Sequence, residues 1–273
     1  MQKEIEIIAN SRISFRKNFR ELLEYRGLVV ELCKRDFKSR YAQTFLGLAW
    51  SLLNPVISVL LLFFVFGVIV KTDTNGIPAL LFVMCGLCVW NFFSRVVGDS
   101  SQSLFGAQAV VKKIYFPRII IPISKAIIGL VDLMIVLVLL FILLLYYRYP
   151  ISWNILWVIP LCAGIVASSL AFGIWVSALS IRFRDFSQIV PLALRIGMFI
   201  SPIGYGLTAV PAKYHWWYQI NPLTGFIEGF RSAVLGTPYN PQVLWYAILV
   251  SLVLLITGIH YFFRMDKYIG DIL

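Results

Sequence analysis

Six stretches of the chain run almost free of charge, and between them the charges return in clusters. The runs are 41–70, 74–94, 126–147, 149–181, 186–212 and 232–263, with the last span starting near Gln242. About 20 apolar residues cross a bilayer as a helix, so each run predicts one membrane span. Two runs carry a single charge in their interior, Asp132 in the third and Arg195 in the fifth. Ahead of the first, apolar positions recur at helical spacing through Phe19, Leu22, Leu23, Val29, Val30, Cys33 and Phe37, with basic residues between them. That pattern predicts an amphipathic helix in the headgroup layer, bent or broken at Gly27. The change from charged to apolar falls at one residue: Arg40 is the last charge before Lys71.

Two connections are more than turns. The stretch 98–122 is long, and within it Pro117 ends the run Lys112-Lys113-Ile114-Tyr115-Phe116 and restarts the chain into span three. The stretch 202–241 is too apolar for a solvated loop. It holds Pro202-Ile203-Gly204-Tyr205-Gly206, then Trp216-Trp217-Tyr218, then Asn221-Pro222. Non-helical backbone at membrane depth survives only where protein buries it or a wet cavity faces it. Two short re-entrant or interfacial helices are therefore expected at about 211–236, with Trp216 and Trp217 as an interfacial belt. The expected fold is an all-α integral membrane protein of six transmembrane helices. A cytoplasmic interface segment, 1–44, precedes the membrane domain, 45–273.

Composition agrees with this picture. Hydrophobic residues make up 60% of the 273-residue chain and charged ones 14%, with a mean hydropathy of +0.84; a soluble domain carries far more charge. The net charge of +11 would suggest nucleic acid in a soluble protein. Here it sits beside apolar spans and reports topology, so no nucleic-acid partner is expected. With the N-terminus inside, twenty of the 24 basic residues fall on the cytoplasmic side, and only Lys71, Arg148, Lys213 and Arg231 remain outside. The positive-inside rule then places both termini in the cytoplasm. No apolar core long enough for a cleaved signal peptide occurs in the first 44 residues.

Candidate chemistry is sparse. Cys85 and Cys88 have metal or redox spacing, but they lie in an apolar run without a nearby histidine, and with Cys33 and Cys162 they read as small packing residues. His215 and His260 flank no acid or cysteine set. No catalytic residues, metal ligands or Walker A pattern are found, so the chain reads as a non-enzyme that binds neither metal nor cofactor. Along the first span, Thr44, Gly47, Ser51, Asn54 and Ser58 share one helical face beside Trp50. Such a stripe either packs against another helix, which a second copy could supply, or walls a hydrated path. Intramembrane charges face a partner or water, so Asp132 and Arg195 are expected to pair. Glu228 and Arg231, at i and i+3, could pair locally or form an exposed ion pair of little energetic weight.

Four stretches in order resemble one family. They are Arg35-Asp36-Phe37-Lys38-Ser39-Arg40-Tyr41 leading to Leu46-Gly47 and Trp50; Lys112-Lys113-Ile114-Tyr115-Phe116-Pro117-Arg118; Phe183-Arg184-Asp185-Phe186 followed by Ser201-Pro202; and Asn221-Pro222-Leu223-Thr224-Gly225 with Glu228 and Arg231. Together they resemble the permease subunit of ABC-2 type ATP-binding-cassette exporters, in the branch that exports O-antigen and capsular polysaccharides across the bacterial inner membrane. The resemblance implies a homodimer that forms one channel for a lipid-linked polysaccharide. It also implies two separate subunits that bind ATP and Mg and meet the chain at Arg35, Asp36, Lys38, Arg40, Lys112 and Lys113. Tyr41, Phe45, Trp50, Trp90 and Phe93, with Ser51 and Asn54, are the expected channel lining, since aromatic faces stack on sugars without demanding one sequence. Tyr205, Trp216, Trp217, Glu228 and Arg231 are the expected outer gate. Capsular polysaccharide and teichoic-acid export are rivals within the family. An ion-driven secondary transporter would show inverted repeats and more buried acids, and a membrane-bound transferase would cluster polar residues on loops; neither pattern occurs.

Overall fold

The computed structural model describes residues 24–41, 47 and 49–272, and only the backbone of Tyr41, Ala212 and 267–272. Phe19, Leu22, Leu23, Thr44 and Phe45 lie outside the described residues. Every regular element among those described is helical. The interface helix α1, Arg26–Tyr41, is followed by α2, Ala49–Leu62, which continues as a wider π-helix over Phe63–Ile69. Then come α3, Ala79–Gly106, and α4, Ile120–Tyr146. A 3-10 turn, Trp153–Trp157, leads into α5, Val158–Arg182. Next is α6, Phe186–Ile200. Two short helices follow, α7 at His215–Ile220 and α8 at Pro222–Leu235, and α9, Pro241–Ile272, closes the chain.

Five helical stretches are long and apolar enough to cross a membrane: α2 with its π-helical extension, α3, α4, α5 with the turn before it, and α9. The fifth expected span is not one of them. Its apolar composition runs on to residue 212, but the helix stops at Ile200, giving about 22 Å against a hydrocarbon core of about 30 Å. Pro202 ends it, because a proline disfavours α geometry in the residue before it. Ser201 is accordingly extended, at φ −76° and ψ 145°. The second span runs twelve residues past its expected end at Ser94, because the charges taken as its boundary, Arg95 and Asp99, sit on the helix. Pro122, Pro160, Pro222 and Pro241 fall where a helix tolerates them, in the first turns of α4, α5, α8 and α9, whereas Pro55 and Pro191 lie inside α2 and α6.

The bundle is organised around α3, which is buried along most of its length between α4, α5, α6 and α8. On the far side of α5, α9 is locked by Trp175. Its ring stacks on Tyr261 at 4.9 Å and its indole N–H donates to the Leu254 carbonyl at 3.0 Å. The connection between α3 and α4 restarts at Pro117 as expected, with the Ile120 N–H bonded to its carbonyl. This connection ties down both described chain ends: Tyr25 donates to the Tyr115 carbonyl, and Arg118 grips Asp266 of α9.

Candidate functional site

Two regions concentrate polar chemistry: the inner face of α1 and the break after α6. The α1 helix has two faces because 32, 33, 36 and 40 fall on one side and 31, 34, 35 and 38 on the other. On the inner side Leu32 is buried, the Cys33 thiol donates to the Ser124 carbonyl at 3.7 Å, and Lys125 binds Asp36. Burial pushes Asp36 up, but the hydrogen bonds from Lys125 and Arg35 outweigh it and hold the carboxyl below the ordinary carboxylate range. Arg40 ends this face. One guanidinium nitrogen donates to Asp132 of α4 at 3.1 Å and the other to Asp99 of α3 at 2.5 Å, while Arg95 of α3 reaches Asp132 at 3.4 Å.

These contacts revise several expectations. Asp132 does not pair with Arg195, which lies on the exposed side of α6 without an ion-pair partner among the described residues. The partner instead comes from α1, because a long arginine side chain at the membrane entry reaches a carboxylate inside. Asp36 and Arg40 point into the chain, not toward an outside partner. On the solvent side remain Lys38, Lys112 and Lys113, with Arg35 partly held by Asp36. Asp99 and Lys125 were not foreseen; the i, i+4 spacing of Arg95 and Asp99 was the signal that the helix continued through them.

Beside the Arg40 cluster, α2, α3 and α4 enclose a cavity of about 320 Å³. Ser51, Asn54 and Ser58 of the small-polar stripe line it, opposite Arg95, Asp99 and Asp132. The stripe therefore faces a polar cavity within the subunit. Trp50 is 44% exposed on the outside of α2. Trp90 and Phe93 do not line an open face. They are buried in the core, with Phe93 edge-on to Phe172 at 5.2 Å, because they project from the central helix.

At the other end, Arg231 is completely buried on α8. Its guanidinium donates to the carbonyls of Phe82 (3.3 Å), Tyr205 (3.2 Å) and Ile203 and to Glu228 (3.1 Å), and it lies 3.8 Å over the Phe82 ring. Glu228 also accepts from the Leu207 N–H at 3.3 Å. The pair is thus not an exposed salt bridge. It supplies the donors that the non-helical stretch 201–206 lacks and an acceptor for the Leu207 N–H that follows it. Gly86 makes room, since a Cβ there would stand 2.8 Å from the Ile203 carbonyl oxygen and 2.9 Å from Arg231. Asn221 caps α8 through the Leu223 N–H and donates to Ser201 at 3.1 Å. Tyr205 bonds back to the Phe199 and Ile200 carbonyls and to the Tyr218 hydroxyl, all at 3.0 Å. Trp216 and Trp217 stack on one another at 4.3 Å and are exposed. Between the segment 200–218 and the end of the π-helix lies a mostly apolar cavity of about 640 Å³, whose rings include Phe66, Tyr205, Tyr214, Trp217 and Tyr218.

The family model described as ABC-2 type transporter matches residues 28–235. The chain belongs to the ABC-2 type transporter family. As an ABC-2 permease it is similar to the O-antigen export system permease protein RfbA of Klebsiella pneumoniae, 28% identical over 249 residues, covering 90% of this chain and 95% of the relative. The protein of the same name from Myxococcus xanthus is 30% identical over 216 residues, covering 78% and 82%. The polysialic acid transport protein KpsM of Escherichia coli is 25% identical over 240 residues, covering 86% and 93%. The family match opens within α1 and closes at Leu235, the last residue of α8. Both polar regions of this ABC-2 permease therefore lie inside the segment that defines its family.

Proposed function

We propose that the chain is the membrane subunit of an ABC exporter and that two copies form the channel for ATP-driven export of a lipid-linked polysaccharide, O-antigen, across the inner membrane. The observation that carries this reading is its similarity, along nine-tenths of its length, to O-antigen export permeases. ATP and Mg are bound by two separate ATPase subunits, and both termini lie in the cytoplasm. The lysines left on the solvent side, Lys38, Lys112 and Lys113, with Arg35, are the contacts for those subunits. Tyr41, Phe45 and Trp50, with the cavity wall at Ser51 and Asn54, form the chain's share of the path. The segment of Tyr205, Trp216 and Trp217, whose start is held by Glu228 and Arg231, closes the outer end. Similarity to the polysialic acid transport protein makes capsular polysaccharide the second candidate cargo.

The test is complementation. The chain, with an ATPase subunit from the same source, is expressed in a strain that makes a lipid-linked O-polysaccharide but lacks its own permease. Polymer is then assayed on the cell surface and in the cytoplasm. Surface polymer that depends on both proteins is the expected result. Polymer that accumulates inside with both present, while a capsule-producing strain is complemented, would assign the second cargo.

A further inference from the structure

The inner face of α1 forms a ladder along α4. Leu32 and Cys33, then Asp36, then Arg40 meet Ser124, Lys125 and Asp132 in the same order. A helix held in this way can move only with its neighbour. The final rung differs from the others because it branches: the fork of Arg40 takes Asp132 of α4 on one nitrogen and Asp99 of α3 on the other. Helices α3 and α4 run antiparallel, so the fork clasps two legs of a hairpin. Both carboxylates also line the 320 Å³ polar cavity against Ser51 and Asn54 of α2. The outer face of the same helix, with Lys34, Arg35 and Lys38, stays in solvent.

We propose that Arg40 is a positioning residue for transport, a clasp that hands displacement of α1 to α3 and α4 together and so reshapes the polar cavity, rather than a contact for an outside partner. The proposal rests on the exporter reading for what moves α1, but the clasp itself does not. Its side chain is only 23% exposed, and those of Asp99 and Asp132 are 30% and 14% exposed. Arg40, Arg95, Asp99 and Asp132 sum to no net charge, so the cluster is not built to hold an external anion. A guanidinium bridges two carboxylates through donors in a rigid fork; an ammonium concentrates its charge at one point and cannot hold both at this spacing.

The experiment compares Arg40→Lys, Arg40→Ala and Lys38→Glu in the full complex with the ATPase subunit and, in parallel, in the purified permease in lipid nanodiscs. For Arg40→Lys and Arg40→Ala, export is expected to fall by about tenfold or more, at the low end of ordinary coupling between sites. The ATPase subunit should still co-purify at the wild-type level. In the isolated permease, amide exchange in the second half of α1 should quicken by roughly tenfold with Arg40→Ala. Lys38→Glu is expected to do the reverse, releasing the ATPase subunit and leaving exchange in α1 unchanged. Full export by Arg40→Lys, or loss of the ATPase subunit from Arg40→Ala with unchanged exchange, overturns the clasp. If the wild-type complex exports no polymer while the exchange result holds, the exporter reading falls and the clasp stands.

Discussion

A fully buried guanidinium needs every donor occupied, and Arg231 comes close through three backbone carbonyls and one carboxylate. Removing one member of a buried ion pair strands the other, at about 3–5 kcal/mol. Arg231→Met is therefore expected to lower the thermal midpoint of the detergent-solubilised permease sharply, with Glu228→Gln milder because its remaining oxygen still accepts from Leu207. Gel-filtration profiles after graded heating would measure both; a wild-type midpoint for Arg231→Met would sink the account. The spacing of Glu228 and Arg231 was legible in the sequence, but their burial was not. Nothing local to α8 announces that the carbonyls of 203 and 205 come from a segment that has left the helix. Asp132 failed for a related reason. Counting charges inside spans matched it with Arg195, whereas the reach of a side chain from outside the span decided the pairing.

The elements were easier to read where composition and backbone agree. Long charge-free runs became α2 to α5 and α9, with the restart at Pro117 as expected. They diverge in 186–212, where hydropathy stays high but Ser201-Pro202 and the glycines at 204 and 206 end the helix. Hydropathy reports solvent, not hydrogen bonding, and only the second stops at Ile200. Aromatic identity was equally mute about direction: Trp90 and Phe93 sit on a helix that is buried along most of its length. The periodicity of α1 pointed to an apolar stripe through Val30 and Phe37, which are exposed, whereas the face that docks carries Leu32, Cys33, Asp36 and Arg40. That docked face makes a prediction about pH. Because Asp36 is held below its ordinary range when docked, its contribution is complete above the free carboxyl's value of about 3.9. It is lost only as pH falls through the lower docked value. Amide protection across residues 32–38 should thus persist at pH 5 and vanish in strong acid. The Asp36→Asn variant should show weaker protection at neutral pH and a flatter acid profile; a midpoint above the ordinary carboxyl value would contradict the sign.

At the scale of the whole molecule, the side of α2 turned away from α3 is bare. Leu52, Ile57, Leu60, Leu61 and Phe64 are all at least 45% exposed. Lipid could cover them; the channel reading puts a second copy there. A cysteine at Ile57, with Cys33 and Cys162 replaced by serine, is expected to give a cross-linked dimer when native membranes are oxidised. The same substitution at Ile159, 72% exposed on α5, tests a different face. Efficient dimer from Ile159→Cys and none from Ile57→Cys would move the interface off α2.

The charges of the Arg40 cluster also have an order along the polypeptide. An aspartate at the middle of an isolated span costs about 2.5–3.5 kcal/mol on insertion scales. Arg40 and Arg95 both precede Asp132, and Arg40 precedes Asp99. A chain made from its N-terminus therefore delivers each cation before the acid that needs it. By the time α4 leaves the ribosome, its one carboxylate has a counter-ion already anchored in the membrane. The same bonds that clasp the finished hairpin give its two helices a reason to enter the bilayer together.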